Sequence, residues 1–542
     1  MKQIYVFLVF FGSQLFAQQL VIHFDKNQFP LQDEVAQGVT YKRFKGANHH
    51  QNAGQPEIPR IHKWVAIDAT KTYSVKIESM NESQLSEQVM LFPAQKDALE
   101  RAKPQFEIDA QFYKKDAWMG SDVVRAGKKT RLGALTILPL EITPVAYNPA
   151  KRQMRIVTDL TINITPVGKS TQEVLIRQRG GMTRFVREQA DVLVENASAI
   201  TANASVRENP KALVITTSDL LPLAKKLVQL QESVSIATKF EVVANGATPE
   251  DIKKVIQDQY NADPMDAVVL FGSAKHITLY NWDSNPGDVY YSLLQGDDNV
   301  ADVALGRIPV STEEEANQLL EKTRKYMMNL ASGKARTNVM LIAHSEDYPG
   351  KYTANQEEIY KADNPLKFNF TRQYGGDKAT NETLLKSFPN NFGIINYRGH
   401  GDVGEFWAWG QDDKSFTESE VNQLNNDDKD MAIYFNIACN TGDITASSKS
   451  LAESMLFRPA QKPYEAAVAV VASTQPSYTE TNHRFDKYLF ESMGQNPKAK
   501  LGAIYAMANN RLVKEENGEM PENVKMYLLL GNPLLPMPYD VN

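Results

Sequence analysis

The sequence holds a single cysteine, Cys439, in 542 residues, so no internal disulfide can form. Zinc chemistry lacks its usual ligands as well, because there is no second Cys and no H-E-x-x-H. Neither sign of charge dominates. With 59 Lys and Arg against 65 Asp and Glu the net charge is −6, and the isoelectric point is near 5.9. A phosphate backbone is held by clustered cations, so nucleic acid is excluded as a partner. No glycine-rich phosphate loop stands at a strand-to-helix junction, and the G-x-S-x-G elbow of serine hydrolases is missing. Beyond the first residues no stretch approaches the ~18 apolar residues a membrane-crossing helix requires, so no transmembrane anchor is expected.

What remains has an ordinary globular composition, 42% hydrophobic and 23% charged, and is long enough for two or three domains. Its start reads as an export signal. Lys2 precedes an almost wholly apolar run from Ile4 to Phe11, and Ala17 stands before Gln18 at a plausible cleavage point. Residues 1–17 are therefore expected to be removed as a signal peptide and the rest exported. A lone thiol outside the cytoplasm is open to oxidation, which is easier to understand if it has a task. A small buried hydrophobe is the alternative.

Residues 18–170 alternate in the manner of strands, with runs at Ile61–Asp68, Ser74–Glu78, Leu135–Ile142 and Met154–Ile164. Asn148-Pro149 predicts a turn joining Leu140–Ala146 to Arg155–Ile164. Residues 171–208 are polar, carry Arg177, Arg179, Arg184 and Arg187, and grade into Ala/Ser/Asn-rich sequence up to Arg207. This reads as a helical or loose connector, open to a protease. From 209 to 542, continuous apolar strands alternate with amphipathic helices. That pattern predicts an α/β domain with a mostly parallel sheet and helices on both faces, preceded by the β-rich unit.

In open α/β sheets, functional groups gather beyond the carboxyl ends of strands. Strand Gly393–Tyr397 runs into Arg398-Gly399-His400-Gly401-Asp402, and strand Met431–Ala438 runs into Cys439-Asn440-Thr441-Gly442-Asp443. If the two strands are neighbours, a thiol and an imidazole emerge at one rim, about one strand spacing (~5 Å) apart. Such a pair suits nucleophilic acyl transfer. The thiolate attacks a carbonyl, the imidazole moves the proton, and backbone N–H groups of Gly401 and Cys439 are placed to hold the oxyanion. Glu346, just past strand Asn338–Ala343, is a candidate to orient His400. A turn histidine and a buried cysteine without chemistry are the plainer alternative.

The strings Asn396-Tyr397-Arg398-Gly399-His400-Gly401 and Ile437-Ala438-Cys439-Asn440-Thr441-Gly442-Asp443 resemble the His and Cys boxes of the gingipain family of cysteine peptidases. Leu305–Ile308, Val470–Thr474 and Leu530–Pro533 are similar too, and Gly54–Pro59 with Tyr147–Pro149 resembles the family's propeptide. The resemblance implies a caspase-like catalytic domain and an inhibitory prodomain that is cut away, at Arg207 or an earlier arginine. It implies an exported bacterial zymogen acting on protein or peptide substrates, with Cys439 and His400 as dyad and Glu346 as third member. Tyr478 falls where the family has an aromatic wall of the primary pocket. If Glu357 or Glu358 lies in that pocket, opposite charge would favour Arg or Lys at P1. No cofactor is needed for the chemistry. Family members also bind calcium, for which Asp297 and Asp298 offer oxygen ligands. Two departures stand out: the chain stops shortly after Pro533, without the family's usual C-terminal domains, and Asn440-Thr441 replaces the usual Val-Asn. A sortase-like transpeptidase shares the same acyl-enzyme, and a non-catalytic surface-binding protein on the same scaffold is the rival from another class.

Overall fold

The computed structural model of the chain describes residues 6–10, 18–25, 29–45, 48–49, 52–85, 87–102, 105–170, 182–201, 209–333, 335–346, 350–425, 431–459 and 465–540. In the N-terminal part, the strands form two five-stranded antiparallel sheets and a two-stranded ribbon of Leu31–Ala36 and Val39–Phe44; the larger two form the core. One contains Gln18–His23, Lys71–Gln84, Val145–Asn148 and Gln153–Lys169; the other contains Pro59–Ile67 and Leu135–Ile142 with shorter strands. Leu20, Ile22 and Ile162 of the first bury against Val65, Leu138 and Leu140 of the second. From the apolar start of the chain, the backbone of Val6–Phe10 pairs antiparallel with Gln18–His23. Ala17 and its neighbours lie outside the described residues.

Asn148-Pro149 does turn the chain, but the strand entering it is Val145–Asn148, not Leu140–Ala146. Pro144 lacks an N–H and breaks the ladder there. Leu135–Ile142, on its far side, pairs with Pro59–Ile67 in the other sheet.

The C-terminal part is built on one ten-stranded sheet. Its strands in chain order are β1 (Lys211–Thr217), β2 (Ala237–Val243), β3 (Ala267–Phe271), β4 (Ala304–Ile308), β5 (Asn338–Ala343), β6 (Asn369–Tyr374), β7 (Phe392–Arg398), β8 (Ala432–Ile437), β9 (Ala467–Ser473) and β10 (Tyr527–Leu530). Across the sheet they lie β2-β1-β3-β4-β10-β9-β8-β7-β5-β6. The first five run parallel to one another, and so do the last five. β10 and β9 pair antiparallel, from Val470↔Leu530 to Ser473↔Tyr527. Two parallel half-sheets thus meet at one antiparallel seam, with their carboxyl rims on opposite edges. Successive residues bury on opposite faces: Leu341, Phe435 and Val471 in one core, Met340, Tyr434 and Val470 in the other.

The helices that bear on the site are α1 (Arg184–Leu193), α2 (Lys351–Lys361), α3 (Thr479–Gln495) and α4 (Leu501–Glu515). Of the helical or loose connector expected over 171–208, the described part is helical and packed. Thr183 caps α1 by accepting from Val186 N–H, and Phe185, Val186, Ala190 and Leu193 bury in the same core as α4. Gln189 donates to the Ala503 carbonyl at 3.0 Å. The buried Asp266 carboxylate accepts from the N–H of Phe185 at 2.9 Å and of Lys211 at 2.8 Å, tying the helix to the start of β1. Arg177, Arg179 and Arg207 lie outside the described residues.

Asp266→Ala would leave the buried Phe185 N–H and the part-buried Lys211 N–H without their acceptor. It is expected to destabilise the chain by about 2–4 kcal/mol, read as a lower urea midpoint with the slope unchanged.

Candidate active site

β7 and β8 are neighbours, and their last paired residues are Arg398 and Ile437. Two positions further along each chain come His400 and Cys439, side by side at one rim and each only 4% exposed. The backbone past the nucleophile bends at once. Asn440 has φ +57°, a left-handed conformation that Asn tolerates better than a β-branched residue such as Val. A Cβ on Gly401 would meet the Cys439 carbonyl oxygen at 2.5 Å, so glycine is required for the two loops to touch.

Two imidazoles and a carboxylate line this rim. His400 Nε2 lies 2.5 Å from Glu346 Oε2. His344 sets that loop in place: its Nδ1 accepts from Glu346 N–H at 2.9 Å, so Nε2 carries the proton and donates to the Trp407 carbonyl at 3.1 Å. The His344 ring meets His400 edge-on at 4.8 Å between centroids. Cys439 Sγ accepts from Ser477 N–H at 3.3 Å.

The cleft in front of the thiol is filled by the chain's own N-terminal domain. Residues 97–100 lie along 477–479 as an extended antiparallel segment. Glu100 N–H donates to the Ser477 carbonyl at 3.0 Å, and Thr479 N–H donates to the Ala98 carbonyl at 2.8 Å; Leu99 stands opposite Tyr478. Asp97 caps α3 from outside its own domain, accepting from the N–H of Glu480 and Thr481 at 2.9 Å each. After Glu100 the chain reverses, with Ala102 N–H donating to the Leu99 carbonyl at 2.8 Å. The Glu100 carbonyl accepts from Lys351 Nζ at 3.1 Å.

The Glu100 side chain enters a polar pocket. It pairs with the fully buried Arg398 guanidinium, and accepts from Asn482 at 2.7 Å, Tyr352 at 2.9 Å and Thr479 at 3.2 Å. Burial opposes its charge, yet Arg398, Asn482, Lys351 and Tyr352 outweigh that and hold the carboxyl below its ordinary range. The next residue, Arg101, stays outside, over the Trp407 ring at 4.9 Å and donating to the Gly401 carbonyl at 3.0 Å.

Comparison with known proteins bears on this arrangement. The profile described as peptidase family C25 matches residues 205–538, and the one described as Propeptide_C25 matches residues 20–189. The chain belongs to peptidase family C25. It is a cysteine-type endopeptidase joined to its family's propeptide. Gingipain R2 of Porphyromonas gingivalis is 22% identical to it, over 92% of this chain and 69% of that one. Lys-gingipain of the same species is 22% identical over 76% of this chain and 25% of its own length. Among solved structures, the Arg-specific cysteine proteinase gingipain R superposes with a TM-score of 0.55 at 22% identity, covering 61% of this chain and 79% of that one. A complex of Porphyromonas gingivalis RgpB pro- and mature domains gives 0.54 at 20% identity, over 60% and 79%. The fold is thus the caspase-like α/β architecture with a β-rich propeptide.

Of the side chains singled out in the peptidase's sequence, Cys439, His400, Glu346, Gly401 and Tyr478 gather at this rim. Glu357 and Glu358 do not. Glu357 on α2 is held by Arg372, Lys361 and Tyr374, and Glu358 by His483 and Lys487 on α3. Asp298 and Asp297 do not fit a cation site either. Asp298 accepts from the N–H of Arg131 and Val300, and Asp297 faces Lys128. Among the described residues no group of three or more His, Cys, Asp or Glu could hold a metal. Sequence reasoning passed over Arg398, Tyr352, Lys351, Asn482 and, in the propeptide, Glu100. Arg398 carried a signal: an arginine closing a strand buried at every position.

Burial pushes the Cys439 thiol up and holds the His400 and His344 imidazoles down to about 4 each. Thiol and imidazoles are therefore all neutral near pH 7. The imidazoles have a stability consequence. Between their ordinary 6.5 and about 4, the unfolded chain takes up protons that the folded one refuses. Stability is expected to fall as pH drops through that window. The double variant His344→Gln with His400→Gln should flatten the slope there, which urea titrations at pH 7, 6, 5 and 4 would measure.

Proposed function

We propose that this peptidase is an exported zymogen that cleaves peptide bonds through Cys439 and His400 once its propeptide leaves. The observation that carries the reading is the propeptide segment 97–100, which pairs with 477–479 in front of the thiol as a substrate would. Glu346 occupies Nε2 of His400, and Nδ1, which faces the Tyr352 hydroxyl at 3.2 Å while the propeptide is docked, is the nitrogen that would exchange a proton with the thiol once the propeptide leaves. The thiolate attacks the carbonyl carbon of the residue before the cut, and the N–H groups of Gly401 and Cys439 face the oxyanion. The C–N bond breaks as His400 protonates the leaving amine. Water, deprotonated by His400, then attacks the thioester, and the C–S bond breaks to restore Cys439.

Latency follows from two contacts. The turn at 99–102 reverses the chain where a substrate would continue extended, and Lys351 draws the Glu100 carbonyl toward itself. Neither a straight leaving-group side nor an oxyanion pose is then reached, so the segment inhibits without being cut. The buried surroundings that raise the thiol and depress the imidazole keep both neutral until solvent enters. A cut within residues 171–208, at Arg207 or an earlier arginine, would release the propeptide. Export rests on Lys2 and the apolar run Ile4–Phe11. The propeptide profile begins downstream of that run, at residue 20, and no helix among the described residues is long and apolar enough to cross a membrane.

The test is alkylation and turnover, before and after limited trypsin cleavage of the full chain. The intact chain is expected to resist chloroacetamide at Cys439 and to leave casein uncut, while the nicked chain does both. Cys439→Ala should abolish turnover, and His400→Ala should lower kcat/KM by about 10²–10⁴-fold. A nicked, folded chain that neither alkylates nor cleaves would sink the reading.

A further inference from the structure

The pocket that Glu100 occupies is built for an anion, and its position fixes which substrate residue would enter it. Glu100 N–H bonds the Ser477 carbonyl beside Cys439, and the Ala98 carbonyl is bonded two residues earlier by Thr479 N–H. In that register Ala98, Leu99 and Glu100 stand for P3, P2 and P1 of a substrate. We propose that the primary specificity pocket of this peptidase selects an acidic P1 residue, glutamate above all, with Arg398 as the determinant. The proposal rests on the peptidase reading above and adds its substrate class.

Arg398 has no exposed surface. Its Nη2 donates to the Thr479 carbonyl at 2.9 Å, its Nε finds no partner among the described residues, and its Nη1 points at the Glu100 carboxylate. When the propeptide departs, the guanidinium remains in place, because it belongs to β7. A buried cation stripped of its carboxylate is strongly unfavourable, and an incoming carboxylate restores the pair. Lys351 Nζ, 3.6 Å from the Glu100 carboxylate, adds to the positive potential. Tyr352, Thr479 and Asn482 supply three neutral donors to the carboxylate. An arginine or lysine at P1 would meet Arg398 head-on, and an apolar residue would leave the buried guanidinium without a counter-charge and deprive Tyr352, Thr479 and Asn482 of their shared acceptor. The acids near the pocket are otherwise engaged: Glu346 with His400, and the buried Asp486 with Asn396. Arg101, the residue after Glu100, sits outside over Trp407 and 3.7 Å from Asp402, so the basic side chain in this segment belongs beyond the P1 pocket.

The experiment compares Ala-Leu-Glu, Ala-Leu-Gln, Ala-Leu-Arg and Ala-Leu-Leu aminomethylcoumarin amides on the trypsin-nicked full chain. Active sites are counted by chloroacetamide uptake at Cys439. The Glu substrate is expected to exceed Gln in kcat/KM by at least about 100-fold, since a buried charge pair and its hydrogen bonds are at stake. Arg398→Gln should erase that ratio. Should this variant fail to fold, Lys351→Gln is expected to reduce the ratio by about 3–10-fold, each rate being normalised to the Cys439 sites that alkylate. Preference for Arg or Leu, or equal turnover of Glu and Gln, would overturn the acidic pocket and leave the peptidase reading standing. A chain that alkylates at Cys439 yet cleaves none of the four, while still cutting casein, would likewise overturn it. Absence of both alkylation and all cleavage would overturn the two together.

Discussion

A guanidinium with no access to water is the constraint around which this molecule is arranged. Arg398 closes β7, two residues before His400, so its position is set by the same strand that delivers the imidazole. Desolvating such a group is tolerable only with a carboxylate beside it, and the structure supplies one from about 300 residues away in the chain, at Glu100. The pairing fixes where segment 97–100 lies, while Trp64, Ala66, Leu132 and Ile137 of the β-rich domain share a core with α4. Asp97 caps α3, Leu99 faces Tyr478, and Arg101 spreads over Trp407. Undocking the propeptide would leave the Arg398 guanidinium buried without its carboxylate, so the pair opposes separation of the two domains.

The same docking explains why an occupied cleft is a silent one. Recognition and reactivity are separated by a single residue. Up to Glu100 the propeptide behaves as a ligand, in an extended ladder with its side chain fully bonded. From its carbonyl onward it departs from a substrate's path, turned by the Ala102–Leu99 hydrogen bond and held by Lys351. Strong binding of the first half and misdirection of the second are complementary, since tight binding alone would present a bond for cleavage.

Much of the fold was legible in the sequence, for reasons that particular elements make plain. β5, β7 and β8 are apolar runs bounded by turn residues, and their limits fall within one residue of those expected. The nucleophile and imidazole stood out because each follows such a run directly. β10 was not legible: it has four residues, Tyr527–Leu530, directly follows a short helix, and earns its strand identity from partners on both sides. The stretch holding α1 was read as a helical or loose polar connector because its charged face dominates the composition, and the burial of Phe185, Val186 and Leu193 on its other face was not visible there. The pocket was read only conditionally, from charge. Glu357 and Glu358 looked available on α2, but nearby basic side chains claim both. The residue that defines the pocket is its opposite in sign, and its partner lies in another domain, where no local pattern could announce it.

The seam between β10 and β9 has a meaning of its own. Each half-sheet buries an edge strand against the other, as two subunits do when a dimer shares a continuous sheet. Here both halves lie on one polypeptide, so their association has no concentration term. A dimer held by the same contact would come apart on dilution, and its activity would fade with distance from its source. Joined in a single chain, the halves remain at a fixed, high local concentration however few molecules are present. A released enzyme of this construction keeps its sheet, and the rim that carries Cys439, intact at any dilution.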